Sequence, residues 1–137
     1  MLYRNKKKND PNEGKWLGVG GKLEEGETID ECAKREVFEE TGISEANLTR
    51  VGLIHFRSDV YPDEDMYLYK GHIDNKPDLQ ETCEGELRWI AKEKVMELPL
   101  WEGDRVFLKD LSEDRSDFEY VLSYSKDKLQ KVTLIQK

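Results

Sequence analysis

The chain has 137 residues, enough for one domain around a single core, with 30 acidic against 22 basic residues and a net charge of −8. That acidity excludes general binding to a nucleic-acid polymer, which calls for a basic face, so a polyanionic ligand must be met locally by cations and a few placed basic side chains. No apolar run is long enough to span a membrane, no signal peptide is visible, and Cys32 and Cys83 form no CxxC pair, so the expectation is a reduced, cytoplasmic protein without disulfides.

Met1–Tyr3 reads as the end of a strand, and residues 4–15 as a polar, mostly basic loop with a turn signal at Asn9-Asp10-Pro11-Asn12. Trp16–Val19 is a short strand running into Gly20-Gly21. Thr28 and Glu31 have the capping-box spacing of a helix start, Ile29, Ala33 and Val37 give an apolar stripe, and Gly42 sits where a terminating glycine belongs. These features predict a helix over Ile29–Thr41, with Cys32 a buried thiol upon it. Glu36 stands three residues from Glu39 and four from Glu40, so the three carboxylates share a face. Carboxylates so crowded repel unless cations lie between them, and hard oxygen donors suit Mg²⁺ or Mn²⁺. The plainer reading of an acidic cluster is a solvated helix face.

Further strands are expected at 48–58, 66–73 and 86–90, a short helix at 92–98 stopped by Pro99, a second helix at 102–111, and a hairpin of 118–124 with 129–135 turning at Ser125–Lys128. His55 and His72 fall within expected strands and read as structural. The order predicts an α/β fold, a mixed sheet with helices packed on it.

The run Gly21, Glu27, then Arg35-Glu36-Val37-Phe38-Glu39-Glu40-Thr41-Gly42-Ile43 fills each fixed position of the Nudix box, G-x5-E-x7-R-E-(aliphatic)-x-E-E-x-G-(aliphatic). The chain therefore resembles a MutT-like Nudix hydrolase. The resemblance implies an α/β/α sandwich spanning residues 1–137 as a single domain. It also implies metal-dependent hydrolysis of a nucleoside diphosphate linked to another group. Glu36, Glu39, Glu40 and the Gly20 carbonyl would bind metal; Glu27 and Arg35 would pair and hold the loop against the helix. Glu84, before the strand with Trp89, would be a further metal ligand or the general base, with Glu81 and Glu86 as alternatives. Glu36, Glu39, Glu84 and Arg35 make up the catalytic set. The family fold also opens with a strand ahead of Leu2–Arg4. Its lack here would leave a sheet edge able to pair with another chain, so monomer and homodimer both stay open.

Trp16-Leu17-Gly18-Val19-Gly20-Gly21-Lys22 and Leu100-Trp101-Glu102-Gly103-Asp104 are similar to segments of enzymes that hydrolyse oxidised purine nucleoside triphosphates. This resemblance implies that Trp101 stacks on the base, that Asp104 meets its edge, and that Arg4 and Lys22 are substrate-binding, with 8-oxo-dGTP as the model substrate. Leu17 stands where that group has an asparagine, and Gly103 where it has a first acid. Lys6, Lys7 and Lys8 stand near Arg4 as further candidates for phosphate contact, while most of that run reads as a solvated loop. Other expectations are a dinucleoside polyphosphate substrate, to which Tyr61 points, or a non-catalytic nucleotide sensor.

Overall fold

The structure is a computed structural model, and it describes residues 1–5, 12–44, 47–79 and 85–135. The chain forms two units: Met1–Leu48 with Gly71–Leu100, and Thr49–Lys70 with Trp101–Lys137.

In the first unit, β1 (Leu2–Arg4) lies between β2 (Trp16–Leu17) and a short strand at Gly85–Leu87 that is β5 in chain order, both pairings antiparallel. Leu2 stands opposite both Leu17 and Leu87, and Leu2 and Leu87 are buried along with Cys32, Ile43 and Leu100. Burial of these side chains is what holds so short a sheet together, since a few ladder hydrogen bonds contribute little net stability. The unit also carries α1 (Ile29–Thr41) and a 3-10 helix at Lys92–Glu97.

α1 has the predicted limits for the predicted reasons. Thr28 Oγ1 accepts from the Glu31 N–H, and the Glu31 carboxylate accepts from the Thr28 N–H, each at 3.1 Å. At the other end Gly42 has φ 76°, a left-handed conformation that glycine adopts without steric cost, and its N–H reaches the Phe38 carbonyl.

The second unit is a four-stranded sheet ordered β4-β3-β6-β7, from β3 (Thr49–Ser58), β4 (Glu64–Lys70), β6 (Phe118–Ser125) and β7 (Lys128–Leu134). β3 and β6 run parallel and the other pairs antiparallel, so the sheet is mixed as expected. α2 (Asp104–Ser112) packs Phe107 against Val51, Ile54, Phe118 and Leu122, with Val106, Leu108 and Leu111 around them. A bulge between Arg50 and Gly52 turns both Val51 and Gly52 inward, and the Phe118 ring, in register with Gly52, covers the glycine. Ile54 and Leu122 are fully buried, so Leu122→Ala should cost roughly 2–5 kcal/mol.

Three strands end two or three residues from where sequence pattern predicts, and the others agree to within a residue. β4 covers Glu64–Lys70 rather than 66–73, because its limits follow its partner: Phe56 pairs Glu64 and Thr49 pairs Lys70. His72 consequently lies outside the strand and is exposed, a correction to its expected place. β2 stops at Leu17 and β5 at Leu87, since the three-residue β1 between them offers no further partners. Among the described residues, no helix is long and apolar enough to cross a membrane.

Candidate active site

The site begins with Arg35, placed by α1 beside the loop that leads into the helix. Its Nε and Nη2 donate to the two Glu27 oxygens at 2.7 and 3.1 Å, and Nη2 also donates to the Lys22 carbonyl at 3.1 Å. Nη1 donates to Glu36 at 2.7 Å and to Glu39 at 3.1 Å, with Glu24 at 3.5 Å. Each side of the guanidinium thus has its own task. One edge fastens the loop to the helix; the other lies among the acidic side chains. The Arg35 hydrogen bonds and then the Glu24 backbone hold the Glu27 carboxyl down at about 2, and the Glu27 and Glu36 bonds push the guanidinium further up.

Glu36 and Glu27 are about equally enclosed, with side chains 14% and 13% exposed against 55% for Glu39. The Glu36 carboxylate rests against Gly21. A Cβ built on Gly21 would meet the Glu36 carboxyl group, so a side chain there would have to displace that carboxylate. Glu40 turns one oxygen, Oε2, where solvent cannot reach it. Gly20 and Lys22 are exposed on the loop beside Gly21. Arg4 ends β1, its N–H on the Lys15 carbonyl at 3.0 Å and its carbonyl on the Gly14 N–H at 2.8 Å.

The structure therefore brings Glu27, Arg35, Glu36, Glu39, Gly21 and the Lys22 backbone together. Among the described residues no three His, Cys, Asp or Glu side chains converge as a ready-made metal site. Arg35 Nη1 stands between Glu36 and Glu39 in their place. The donor set still fits a hard divalent ion: the carboxylates are oxygen ligands, and the bare backbone at Gly21 lets the Glu36 carboxylate come up against the loop. Glu84 and its alternative Glu81, like Lys6, Lys7 and Lys8, lie outside the described residues. The other alternative, Glu86, is committed to β5 and pairs with Arg88 at 3.1 Å.

In the second unit, the Trp101 indole is flanked edge-on by Tyr124 at 5.6 Å and Tyr61 at 6.4 Å. Tyr61 donates its hydroxyl to Asp127 at 3.3 Å and so serves to brace the indole. Asp104, the first residue of α2, is 8% exposed, and its burial pushes the carboxyl up to about 7. Leu17, in β2 of the first unit, brings no polar side-chain atom.

Sequence reading missed two arrangements. His55 lies between Asp65 on β4 and Glu119 on β6, each 2.7 Å from a ring nitrogen, so it is structural as expected but far from partnerless. Both contacts can be hydrogen bonds only if both ring nitrogens carry protons, and the Glu119 and Asp65 bonds raise its pKa accordingly. The second arrangement is Tyr124, whose hydroxyl accepts from the Gly103 N–H at 2.7 Å. Partners 64 and 21 residues apart leave no local signal.

The chain is similar to known proteins over most of its length. The NUDIX domain model matches residues 1–111. An oxidized purine nucleoside triphosphate hydrolase from Mus musculus is 33% identical over 129 residues, covering 87% of this chain and 81% of that protein. The protein of the same description from Danio rerio is 33% identical over 99 residues, covering 72% of this chain and 63% of its own length. The crystal structure of a mutator MutT protein from Bacillus halodurans superposes with a TM-score of 0.81 at 31% identity, covering 88% of this chain and 82% of that one.

Proposed function

The chain belongs to the Nudix family, and from that premise we propose that it hydrolyses a purine nucleoside triphosphate to the monophosphate and pyrophosphate, with 8-oxo-dGTP the first substrate to test. It is a Nudix pyrophosphohydrolase. The observation that carries the reading is the Arg35 junction, which fastens the loop through Glu27 and sets Glu36 against Gly21. The choice of substrate is supported by the mouse and zebrafish relatives and by the braced Trp101 beside a buried acid.

Nudix hydrolases generally use divalent metal ions. In this reading Mg²⁺, or Mn²⁺ in its stead, would be held by Glu36, Glu39, Glu40 and the Gly20 carbonyl, with Glu84 as a further ligand. Such an ion would neutralise phosphate charge and make a bound water a better nucleophile. The chain's own residues do the rest. Arg35 gives up Nη1 contacts to Glu36 and Glu39 while its Glu27 side keeps the loop in place. A glutamate of this set, or Glu84, takes the proton of the attacking water, and because crowded carboxylates titrate together the role belongs to the set. Arg4 and Lys22 meet the phosphates. Trp101 stacks on the base, and Asp104, whose burial favours the neutral carboxyl, offers its edge a donor as well as an acceptor.

The test is a comparison of kcat/KM for 8-oxo-dGTP, dGTP and a dinucleoside polyphosphate, with Mg²⁺ and with a chelator. The triphosphates should be hydrolysed only with metal. Because Leu17 contributes no hydrogen bond to the base, the oxidised purine should be favoured by only about tenfold or less. A dinucleoside polyphosphate cleaved best, or turnover indifferent to chelation, would contradict the reading.

A further inference from the structure

We propose that Tyr124 is a positioning residue for the segment Trp101–Asp104, and that its hydroxyl fills the place a side chain at position 103 would need. The inference rests on the reading of Trp101 and Asp104 as the base-binding end.

Gly103 precedes α2 with φ −68° and ψ −28°, a conformation open to any residue, so the backbone does not call for glycine. Space does. A Cβ built on Gly103 would lie 2.5 Å from Tyr124 Oη, 2.8 Å from Leu122 Cδ1 and 3.2 Å from Tyr124 Cζ. Neither neighbour yields easily. Leu122 is fully buried in the sheet core. The Tyr124 ring is set edge-on to Trp101, and its oxygen is tied to the Gly103 N–H at 2.7 Å. That N–H is otherwise one of the amides at a helix start that lack an intrahelical acceptor, and Gly103 has no side chain to cap the end.

One phenol thus does two things. Its ring limits the tilt of the Trp101 indole, and its oxygen anchors the backbone directly before Asp104. A purine stacked on Trp101 and touched by Asp104 meets a surface whose two parts hold their relative position through Tyr124. Removing the hydroxyl leaves the ring, the sheet and the acidic site of the first unit unchanged in composition. The loss should fall on substrate binding and spare the chemical step.

The experiment measures kcat and KM for dGTP with Mg²⁺ in Tyr124→Phe, Trp101→Ala, Gly103→Ala and the double variant Gly103→Ala/Tyr124→Phe, together with hydrogen exchange of the Gly103 amide in the wild type and Tyr124→Phe. Tyr124→Phe should raise KM by roughly twofold to tenfold, the net worth of one hydrogen bond, with kcat within about twofold. Its Gly103 amide should exchange faster. Gly103→Ala should raise KM as well, and adding Tyr124→Phe to it should recover part of the loss, since it removes the nearest of the three contacts while those with Leu122 Cδ1 and the ring remain. If Trp101→Ala raises KM while Tyr124→Phe and Gly103→Ala leave it alone, the inference fails and the base-binding reading stands. If Trp101→Ala leaves KM unchanged, the base-binding reading fails and takes the inference with it. Unaltered Gly103 exchange in Tyr124→Phe, or strictly additive effects in the double variant, also overturns the proposal.

Discussion

Asp104→Asn should remove a pH dependence of stability that the structure ascribes to one carboxyl. Asp104 is 8% exposed, and burial raises its pKa from 3.8 to about 7. Burial is the cause of the rise, and its cost falls on the ionised form. For an acid with a raised folded-state value, the stabilising contribution is fully present below the unfolded pKa. It is lost as pH rises toward the folded value, because the unfolded chain ionises first. A rise from 3.8 to about 7 corresponds to about 4 kcal/mol in all, spread between roughly pH 4 and pH 7. Asparagine has the same shape and does not titrate. Urea unfolding of both proteins at pH 5, 6, 7 and 8 gives the difference directly. The variant should gain on the wild type steadily from pH 5 to 7 and level off above. A constant difference over that range would refute the reasoning, since other titrating groups cancel between the two proteins.

Glu39→Gln and Glu40→Gln should each lose activity by about a hundredfold or more at saturating Mg²⁺ while melting as the wild type does, because a lost metal ligand removes several kcal/mol of transition-state stabilisation; near-wild-type turnover in both would count against the metal assignment. Gly21→Ala should lower kcat with little change in far-UV circular dichroism, since its methyl would displace the Glu36 carboxylate; full activity would show that Glu36 need not rest there. Glu27, held down at about 2 by Arg35, contributes stability that is present above its unfolded value near pH 4 and lost as pH falls toward 2, so Glu27→Gln should flatten the acid limb of a melting-temperature profile. His55, raised by Glu119 and Asp65, contributes below its unfolded value of about 6.5 and loses that contribution as pH rises through its folded one; an NMR titration placing the ring at or below 6.5 would rule this out.

The parts of the fold legible in the sequence are those whose causes are local. α1 was readable from Thr28, Glu31 and Gly42 because each acts within one turn of the helix end it fixes. The Glu27–Arg35 pair was readable from the box resemblance, and the geometry matches it. The limits of β4 were not, because aromatic composition suits a strand without saying which residues find partners, and β3 decides that. The Arg35–Glu39 contact follows from their i,i+4 spacing on the helix, whereas the contact with the adjacent Glu36 follows from where the loop leaves the second edge of the guanidinium. The glycine at 103 looked like a missing acid in the sequence; its cause is Tyr124, on a strand that pairs elsewhere.

The central claim is hydrolysis of a purine nucleoside triphosphate to monophosphate and pyrophosphate. Product analysis tests it most directly: 8-oxo-dGTP or dGTP is incubated with the protein and Mg²⁺, and the nucleotide and phosphate products are separated by ion exchange. The account predicts nucleoside monophosphate and pyrophosphate in equal amounts, both absent when Glu39→Gln replaces the wild type. Nucleoside diphosphate with inorganic phosphate, or no turnover of either triphosphate, would contradict it.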